Sequence, residues 1–309
     1  MYEKYEELLY NLRKILNDEN IKLNETLDKY TTFKVGGPCD IMVFPESELE
    51  FASTIKEIVL NKVPYFILGL GSNLIVKEGG IRGVVINMIK FNKIFVDGNV
   101  ITAQAGAKLS DVSDIACDNS LHGFEFACGI PGTIGGAISM NAGAYGGEMS
   151  QVIENIKVVD KNGDIIELNR DEINFGYRKT VIFKEKYVVI SCKISLEFGD
   201  KKEIETHIKD LTCKRNSKQP LEYPSAGSIF KRPEGHYTGK LIEDCGLRGY
   251  IHKNVMISNK HCGFIVSRGN TNANEILELI DIIKDKVYQK FEVKLELEVK
   301  IVGEDKREN

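Results

Sequence analysis

Residues 129–147 read GIPGTIGGAISMNAGAYGG, which places seven of the chain's 28 glycines in 19 positions, with no Asp, Glu, Lys or Arg among them. The chain's average density would put about two glycines there, and 28% of its residues are charged. Crowded glycine means backbone in conformations that a Cβ forbids, or backbone pressed against something large and flat. The lack of charge means that this something is largely buried. Pro131, Asn141 and the glycines break any run of the roughly 20 apolar residues that a membrane span needs. Two readings stay open: a buried, turn-rich core segment, or a wall wrapped around a cofactor.

A second loop points the same way. Val63 to Val76 reads VPYFILGLGSNLIV, two β-rich runs flanking Gly69-Leu70-Gly71-Ser72-Asn73. A strand, a tight Gly-x-Gly-Ser-Asn turn and a second strand offer free backbone N–H groups, which suit a pyrophosphate. The dinucleotide fingerprint is absent, because Leu74 stands where its third glycine belongs and no helical pattern follows. No Gly-Lys-Ser/Thr follows either, so it is not a P-loop. The alternative is a plain hairpin turn.

The chain has 309 residues, enough for two or three domains with real cores. It is 42% hydrophobic with a net charge of −4, which argues against a nucleic-acid partner. The basic clusters are small: Lys214-Arg215 with Lys218, then Lys231-Arg232. Each serves one anionic ligand at best. The start, MYEKYEELLYNLRKIL, lacks the basic and apolar regions of a signal peptide, and no stretch reads as a membrane helix. Seven cysteines, at 39, 117, 128, 192, 213, 245 and 262, never form C-x-x-C, as expected of free thiols in a reducing cytosol. Five scattered histidines without an H-x-x-x-H pair give no metal site.

Periodicity predicts a helix over 3–19, with Leu8, Leu9, Leu12, Ile15 and Leu16 on one face. Strands at 40–45, 64–69 and 74–76 with a helix at 46–61 make a small α/β unit ending near Asn87. From 88 to about 210 the chain is strand-rich: 92–97, 100–105, 153–160, 164–168 and 187–197, with Lys161-Asn162-Gly163-Asp164 as a hairpin turn. A helix is predicted at 108–120. A third region opens after the basic segment 201–218. It holds a helix at 273–290 capped by Asn272, with a stripe of Ile276, Leu279, Ile280, Ile283 and Val287. Val293, Leu295, Leu297, Val299 and Ile301 then alternate with charged residues as a half-buried strand. The charged tail Glu304–Asn309 is expected to fray.

Three more segments stand out. FGYRKT (175–180) puts Arg178 beside Tyr177, SAGSIFKRP (225–233) puts Ser228 after two small residues, and LELEVKIVG (295–303) puts Glu298 on the final strand. Singly, Arg178 reads as a salt-bridge partner, Ser228 as a strand-edge hydroxyl and Glu298 as one polar tooth of an amphipathic strand. In order the picture changes. YTTFKVGGP (30–38), GLGSNLIV (69–76), IPGTIGGAISMNAGAYG (130–146), FGYRKT, AGSIFK (226–231), GKLIEDCGLRG (239–249), HCGF (261–264) and LEVKIVG (297–303) together resemble the UDP-N-acetylenolpyruvoylglucosamine reductase family, cytoplasmic enzymes of peptidoglycan precursor synthesis.

The resemblance runs from about Leu23 to Gly303 and implies an α+β protein. Two subdomains, 1–87 and 88–210, would clasp FAD in a vanillyl-alcohol-oxidase-like fold. Residues 211–309 would form a C-terminal α/β substrate domain, with the last strand and tail packing back on the FAD domains. The resemblance implies FAD contacts at Gly69, Gly71, Ser72 and Asn73, and at Gly132, Thr133, Gly135, Gly136, Ala137 and Gly143. No histidine lies in the first loop, so the FAD is expected to be non-covalent; His122 is expected to serve packing. The span from Arg178 to Ser228 is short, as in the shorter family form without the extra tyrosine-bearing loop.

The implied partners are UDP-N-acetylenolpyruvoylglucosamine and NADPH, with no membrane insertion. NADPH would reduce the flavin, which would hand hydride to C3 of the enolpyruvyl group. Arg178, as a fixed positive group, and Glu298, as a hydrogen-bond donor that must be protonated to act, would stabilise charge developing at C2 and in the carboxylate. Ser228 would protonate C2. Tyr177, Arg215, Lys218 and Lys231 are the implied substrate contacts, the three cations for the diphosphate. The competing readings are a flavin oxidase of the same fold and a binding protein that has lost catalysis.

Overall fold

The α/β alternation expected over residues 40–76 is present. The strand Cys39–Val43 is buried along its whole length, and Ser47 caps the following helix, Glu48–Leu60, by accepting the Glu50 N–H. Phe51, Thr54, Ile55 and Ile58 recur at three- and four-residue spacing and bury one face of that helix. The structure, a computed structural model, describes residues 5–306. These form two units. The first takes residues 5–23, Asp40–Leu70 and Gly83–Cys213; the second takes Asn24–Cys39, Gly71–Arg82 and residues 214–306.

In the first unit a four-stranded sheet runs in the order Ile21–Leu23, Cys39–Val43, Ile81–Asn87, Tyr65–Leu68. Its first pair is antiparallel and its last pair parallel. Asp40 is buried there and accepts hydrogen bonds from the Tyr5 hydroxyl (2.7 Å) and the Gly83 N–H (2.8 Å). A five-stranded antiparallel sheet follows, in the order Ile165–Asn169, Ile153–Val159, Val188–Ser195, Val100–Gln104, Ile94–Asp97. The turn at 160–164 closes its first hairpin as expected. Ile41 and Val43 of the first sheet share one continuous apolar cluster with Ile101, Ala103, Ile156 and Ile190 of the second.

The first helix is Glu6–Ile15, shorter than the predicted 3–19. Positions 3 and 4 lie outside the described residues, and Asp18–Asn20 is a separate 3₁₀ turn. Its buried residues are Leu8, Leu9 and Leu12.

The second unit holds a four-stranded antiparallel sheet in the order Ser225–Ser228, Phe264–Ser267, Val255–Ile257, Ile251–His252. The helix Ala273–Phe291 carries the predicted stripe, all buried, and the Asn272 side chain accepts the Glu275 N–H at 3.0 Å. Lys300–Val302 pairs in parallel with Leu74–Val76.

Three expectations need correction. The basic segment 201–218, read as a boundary, is an 18-residue helix; only Ile204 and Leu211 are buried, too few to show a stripe. The predicted strand 293–301 keeps its alternation at Leu295 and Val299, but only Lys300–Val302 is a strand. Glu298 and Val299 both donate to the Ile229 carbonyl, which breaks a regular ladder, and Ile301 is exposed. The tail does not fray from Glu304: Gly79 and Glu304, and Glu304 and Gly80, are joined by backbone bonds of 2.9 Å, and Lys77 pairs with Asp305 at 3.0 Å. Residues 307–309 lie outside the described residues.

All seven cysteines are free thiols. Cys192 lies in the core on Val188–Ser195, where burial pushes its thiol up to about 12, while Cys213 is exposed. A thiol reagent at pH 8 is therefore expected to label Cys213 in the native protein and Cys192 only after unfolding, read by mass spectrometry of digests. Native-state labelling of both at similar rates would contradict this core.

Candidate active site

The strands on either side of Gly69–Asn73 belong to different sheets: Tyr65–Leu68 pairs with Ile81–Asn87, and Leu74–Val76 with Lys300–Val302. The hairpin alternative is thereby removed. In the first unit Gly69 meets the glycine-rich stretch directly, since a Cβ on it would lie 2.5 Å from Thr133 Oγ1. Thr133 is buried and bridges to Lys108; the Gly132 carbonyl accepts the Leu109 N–H at 3.1 Å.

The stretch is not all turns. Ile134–Ser139 is a short helix that buries Ile134, Ala137 and Ile138. Its glycines divide into two kinds. Gly135 lies against Ala105, and a Cβ on Gly143 would come within 2.6 Å of the Gly147 carbonyl, so protein packing accounts for both. Gly136 is different. It is exposed, and a Cβ there would meet only Thr133 Oγ1, at 3.7 Å. Glycine costs a helix about 1 kcal/mol relative to alanine, and no protein neighbour requires it here. A bare backbone face of this kind fits a flat ligand.

Arg178 is tied to the same stretch. Gly176 and Lys179 exchange two backbone hydrogen bonds (2.9 and 3.2 Å), leaving Tyr177 and Arg178 at the tip of a tight turn. Arg178 has φ +56°, a left-handed conformation that disfavours side chains. Its guanidinium donates to the carbonyls of Asn141 (3.3 Å) and Gly143 (3.4 Å), and Asn141 Nδ2 donates back to the Gly176 carbonyl. Tyr177 is exposed, with its ring centroid 5.1 Å from the Arg178 guanidinium. His122 is not a packing residue: its side chain is largely exposed and contacts the buried Glu125 at 2.8 Å.

In the second unit Gly71 has φ +61°, and a Cβ on it would lie 2.3 Å from the Tyr30 carbonyl. The YTTF segment therefore clamps this glycine. Ser72 and Asn73 are half-buried. Asn73 joins the loop to the last strand: its Nδ2 donates to the Glu298 carbonyl (3.2 Å), and its carbonyl accepts the Lys300 N–H (3.0 Å). The Glu298 N–H in turn donates to the Ile229 carbonyl at 2.9 Å, beside Ser228. Asn73, Glu298 and Ser228 are thus brought together by backbone bonds. Ser228 ends a bulged strand: Ser225 pairs with Val266 but Ser228 with Phe264, and Gly227 takes φ +74° between them.

One neighbour was hidden in the HCGF motif. A Cβ on Gly263 would lie 3.7 Å from Ser228 Oγ and 2.9 Å from His261 Cε1, so only a glycine's bare face separates the ring from the hydroxyl. His261 Nδ1 accepts the Gly263 N–H at 3.1 Å. Burial, with the Arg248 charge, lowers its pKa below the ordinary imidazole value, so the ring is neutral at pH 7. Lys231 is held by Glu296 at 3.0 Å. Arg215 and Lys218 occupy the last turn of the helix Lys201–Lys218, the former half-buried and the latter exposed.

A family model described as FAD binding domain matches residues 39–169, which contain both glycine loops. A second, for the C-terminal domain of UDP-N-acetylenolpyruvoylglucosamine reductase, matches 219–302, which contain Ser228 and Glu298. Fold and site define an FAD-dependent oxidoreductase. The UDP-N-acetylenolpyruvoylglucosamine reductase of Clostridium kluyveri is 50% identical over 302 residues, 98% of this chain and 99% of that one. That of Clostridium tetani is 51% identical over 98% of both. The crystal structure of the Thermus caldophilus reductase superposes with a TM-score of 0.78 at 33% identity, covering 91% of this chain and 97% of its own. The chain belongs to the UDP-N-acetylenolpyruvoylglucosamine reductase family, in its short form.

The two kinds of glycine separate in experiment. Gly136→Ala is expected to leave the apoprotein as stable or more so, while weakening FAD binding at least about tenfold by filling the bare face. Gly71→Val is expected to destabilise the apoprotein itself by about 2 kcal/mol or more, because it combines a left-handed β-branched residue with a backbone clash. Thermal unfolding of the apoproteins and fluorescence titration with FAD read both effects. Unchanged FAD affinity in Gly136→Ala would refute the bare-face reading.

Proposed function

We propose that this protein reduces UDP-N-acetylenolpyruvoylglucosamine to UDP-N-acetylmuramate with NADPH, a cytoplasmic step of peptidoglycan precursor synthesis. The observation that carries the reading is the backbone bond from Glu298 to the carbonyl next to Ser228. It ties the backbone of Glu298 to the residue that follows Ser228, which supports a reaction needing a charge stabiliser and a proton donor.

Non-covalent FAD would be held by Gly69, Gly71, Ser72 and Asn73 toward its pyrophosphate, and by Gly132, Thr133, Gly135, Gly136, Ala137 and Gly143 along its ring. When bound, it supplies hydride transfer from NADPH to the enolpyruvyl group. Residues 1–87 and 88–210 act as its two subdomains, on their shared core, and 211–309 as the substrate domain. The chain's own residues manage charge and protons. Negative charge at C2 of the substrate spreads into its carboxylate, where the Arg178 guanidinium answers it as a fixed cation and the Glu298 carboxyl answers it only as a protonated hydrogen-bond donor. The Asn141 and Gly143 carbonyls fix the Arg178 fork before substrate arrives, which lowers the reorganisation needed at the moment of reaction. Ser228 Oγ–H delivers the proton to C2; a hydroxyl is a weak acid, but a carbanion is a strong base. Arg215, Lys218 and Lys231 hold the diphosphate and Tyr177 flanks the substrate; Lys231 does so while sharing Glu296.

Ser228→Ala is expected to separate the half-reactions. Flavin reduction by NADPH should proceed nearly as in the parent, whereas reoxidation by substrate should slow by about 10²–10⁴-fold, the loss expected for a positioned proton donor. Arg178→Lys keeps the charge, loses the planar fork and should also slow only reoxidation. In D₂O the parent should place deuterium at C2. Stopped-flow absorbance and NMR of the product read these outcomes. Slowed reduction in Ser228→Ala, or both steps intact, would assign the proton elsewhere.

A further inference from the structure

His261 is half-buried beside Ser228 and has no part in the chemistry above. Its backbone is pinned. The buried Ser258 Oγ accepts the Lys260 N–H (3.1 Å) and the His261 N–H (3.3 Å), and the His261 carbonyl accepts the Phe264 N–H (3.0 Å). Its ring meets that of Phe264, the strand partner of Ser228, edge to face with centroids 5.0 Å apart. Gly263 joins the ring to the serine strand: its N–H donates to Nδ1, and its carbonyl accepts the Ile229 N–H at 3.0 Å. Gly263 is outside the left-handed region, so its φ does not require glycine. Space does, because a Cβ would lie 2.9 Å from His261 Cε1. The glycine lets the ring come close to the hydroxyl.

The bond from Gly263 also sets the tautomer. A backbone N–H only donates, so Nδ1 carries no proton; the ring is neutral, and its one proton sits on Nε2. Cε1, bonded to both nitrogens, is the ring atom nearest the bare face of Gly263, and Ser228 Oγ lies 3.7 Å from the point a Cβ there would occupy. Among the described residues, neither Nε2 nor Ser228 Oγ is engaged in another hydrogen bond. A ring of this tautomer can donate to Oγ and cannot take its proton. That is the reverse of the serine–histidine pair of hydrolases, in which the ring is the base. It suits a serine that must give its proton away, because an Oγ that accepts from the ring turns its own hydrogen elsewhere.

We propose that His261 is a positioning residue for the protonation step: its Nε2–H donates a hydrogen bond to Ser228 Oγ, directly or through one water, and stabilises that oxygen as its proton leaves for C2. The proposal rests on the function argued above. The Ser228 proton forms the C2–H bond, the serine oxygen is left with the negative charge, and solvent water returns a proton to it; the ring keeps its own proton throughout. A hydrogen bond to a charged oxygen is about twice as strong as one to a neutral oxygen. The donor therefore favours the transition state over the ground state.

Two variants separate the ring's nitrogens. His261→Asn puts an amide where Nδ1 stands and keeps an acceptor for the Gly263 N–H, but has no donor at the Nε2 position; His261→Gln is the converse. The test is stopped-flow reoxidation of the FAD-loaded, NADPH-reduced protein by saturating UDP-N-acetylenolpyruvoylglucosamine. His261→Asn is expected to slow reoxidation about 10–100-fold, the worth of one hydrogen bond to a charged group, with substrate affinity unchanged. His261→Gln should stay within about threefold of the parent. In a Ser228→Ala background His261→Asn should slow nothing further, because the ring acts only through that oxygen. Gly263→Ala keeps every polar group and pushes a methyl against the ring; it should show the same slowing and the same dependence on Ser228. Equal slowing by the Asn and Gln variants would reduce the ring to a brace for its turn and overturn the proposal. Slowing by His261→Asn that persists without the Ser228 hydroxyl would overturn it too, as would a loss confined to substrate affinity. Parent-like reoxidation in His261→Asn beside a slow Ser228→Ala would sink this proposal and leave the reductase reading standing. Parent-like reoxidation in Ser228→Ala would remove both the assigned proton donor and its partner.

Discussion

The second unit depends on the last stretch of chain being bonded on both sides. Residues 296–298 exchange backbone hydrogen bonds with 229–231, and 300–304 do so with 73–80. Unpaired backbone groups are costly once water is removed, so these bonds fix register as well as stability. Glu298 cannot slip in register without breaking its bonds to Ile229 and Asn73 together. The backbone segments that carry Ser228 and Glu298, far apart in sequence, are therefore held in one register. Catalysis by charge stabilisation gains most from groups positioned in advance.

The first unit reaches the same end by strain and anchoring. Twelve non-glycine residues among those described have left-handed backbone, so strain alone singles out none of them. Arg178 differs because its side chain is bound to two carbonyls of the glycine-rich stretch while its backbone forms the tip of a two-bond turn. A left-handed residue costs about 1–2 kcal/mol, and the anchoring bonds offset a cost of that size. Gly136 complements it: the one supplies a fixed positive group, the other a surface with nothing on it.

Much of this was legible in the sequence, for reasons that differ from residue to residue. The helix Ala273–Phe291 showed itself because five buried residues repeat at helical spacing behind an asparagine cap. The helix Lys201–Lys218 did not, because burial of only Ile204 and Leu211 leaves no periodic signal. The final strand was half legible: its alternation is set by burial, but its pairing is set by partners some seventy and over two hundred residues away, which periodicity does not encode. Ser228, Arg178 and Glu298 stand out only through ordered motifs, since each alone reads as an ordinary strand or surface residue. His261 was missed as a neighbour of Ser228, since the signal is the absence of a Cβ at Gly263, visible only once the strands pair. Likewise Gly71 looked like a phosphate-facing residue, and its clamp by the Tyr30 carbonyl needed coordinates.

We propose that these two sets of residues serve reduction of an enolpyruvyl nucleotide-sugar. The most direct measurement is anaerobic reduction of the FAD-loaded protein with one equivalent of NADPH, followed by addition of UDP-N-acetylenolpyruvoylglucosamine, with the flavin spectrum recorded throughout. The expected result is bleaching on NADPH and return of the oxidised spectrum on adding the nucleotide-sugar, with one equivalent of UDP-N-acetylmuramate formed. A flavin that stays reduced until oxygen is admitted would contradict it.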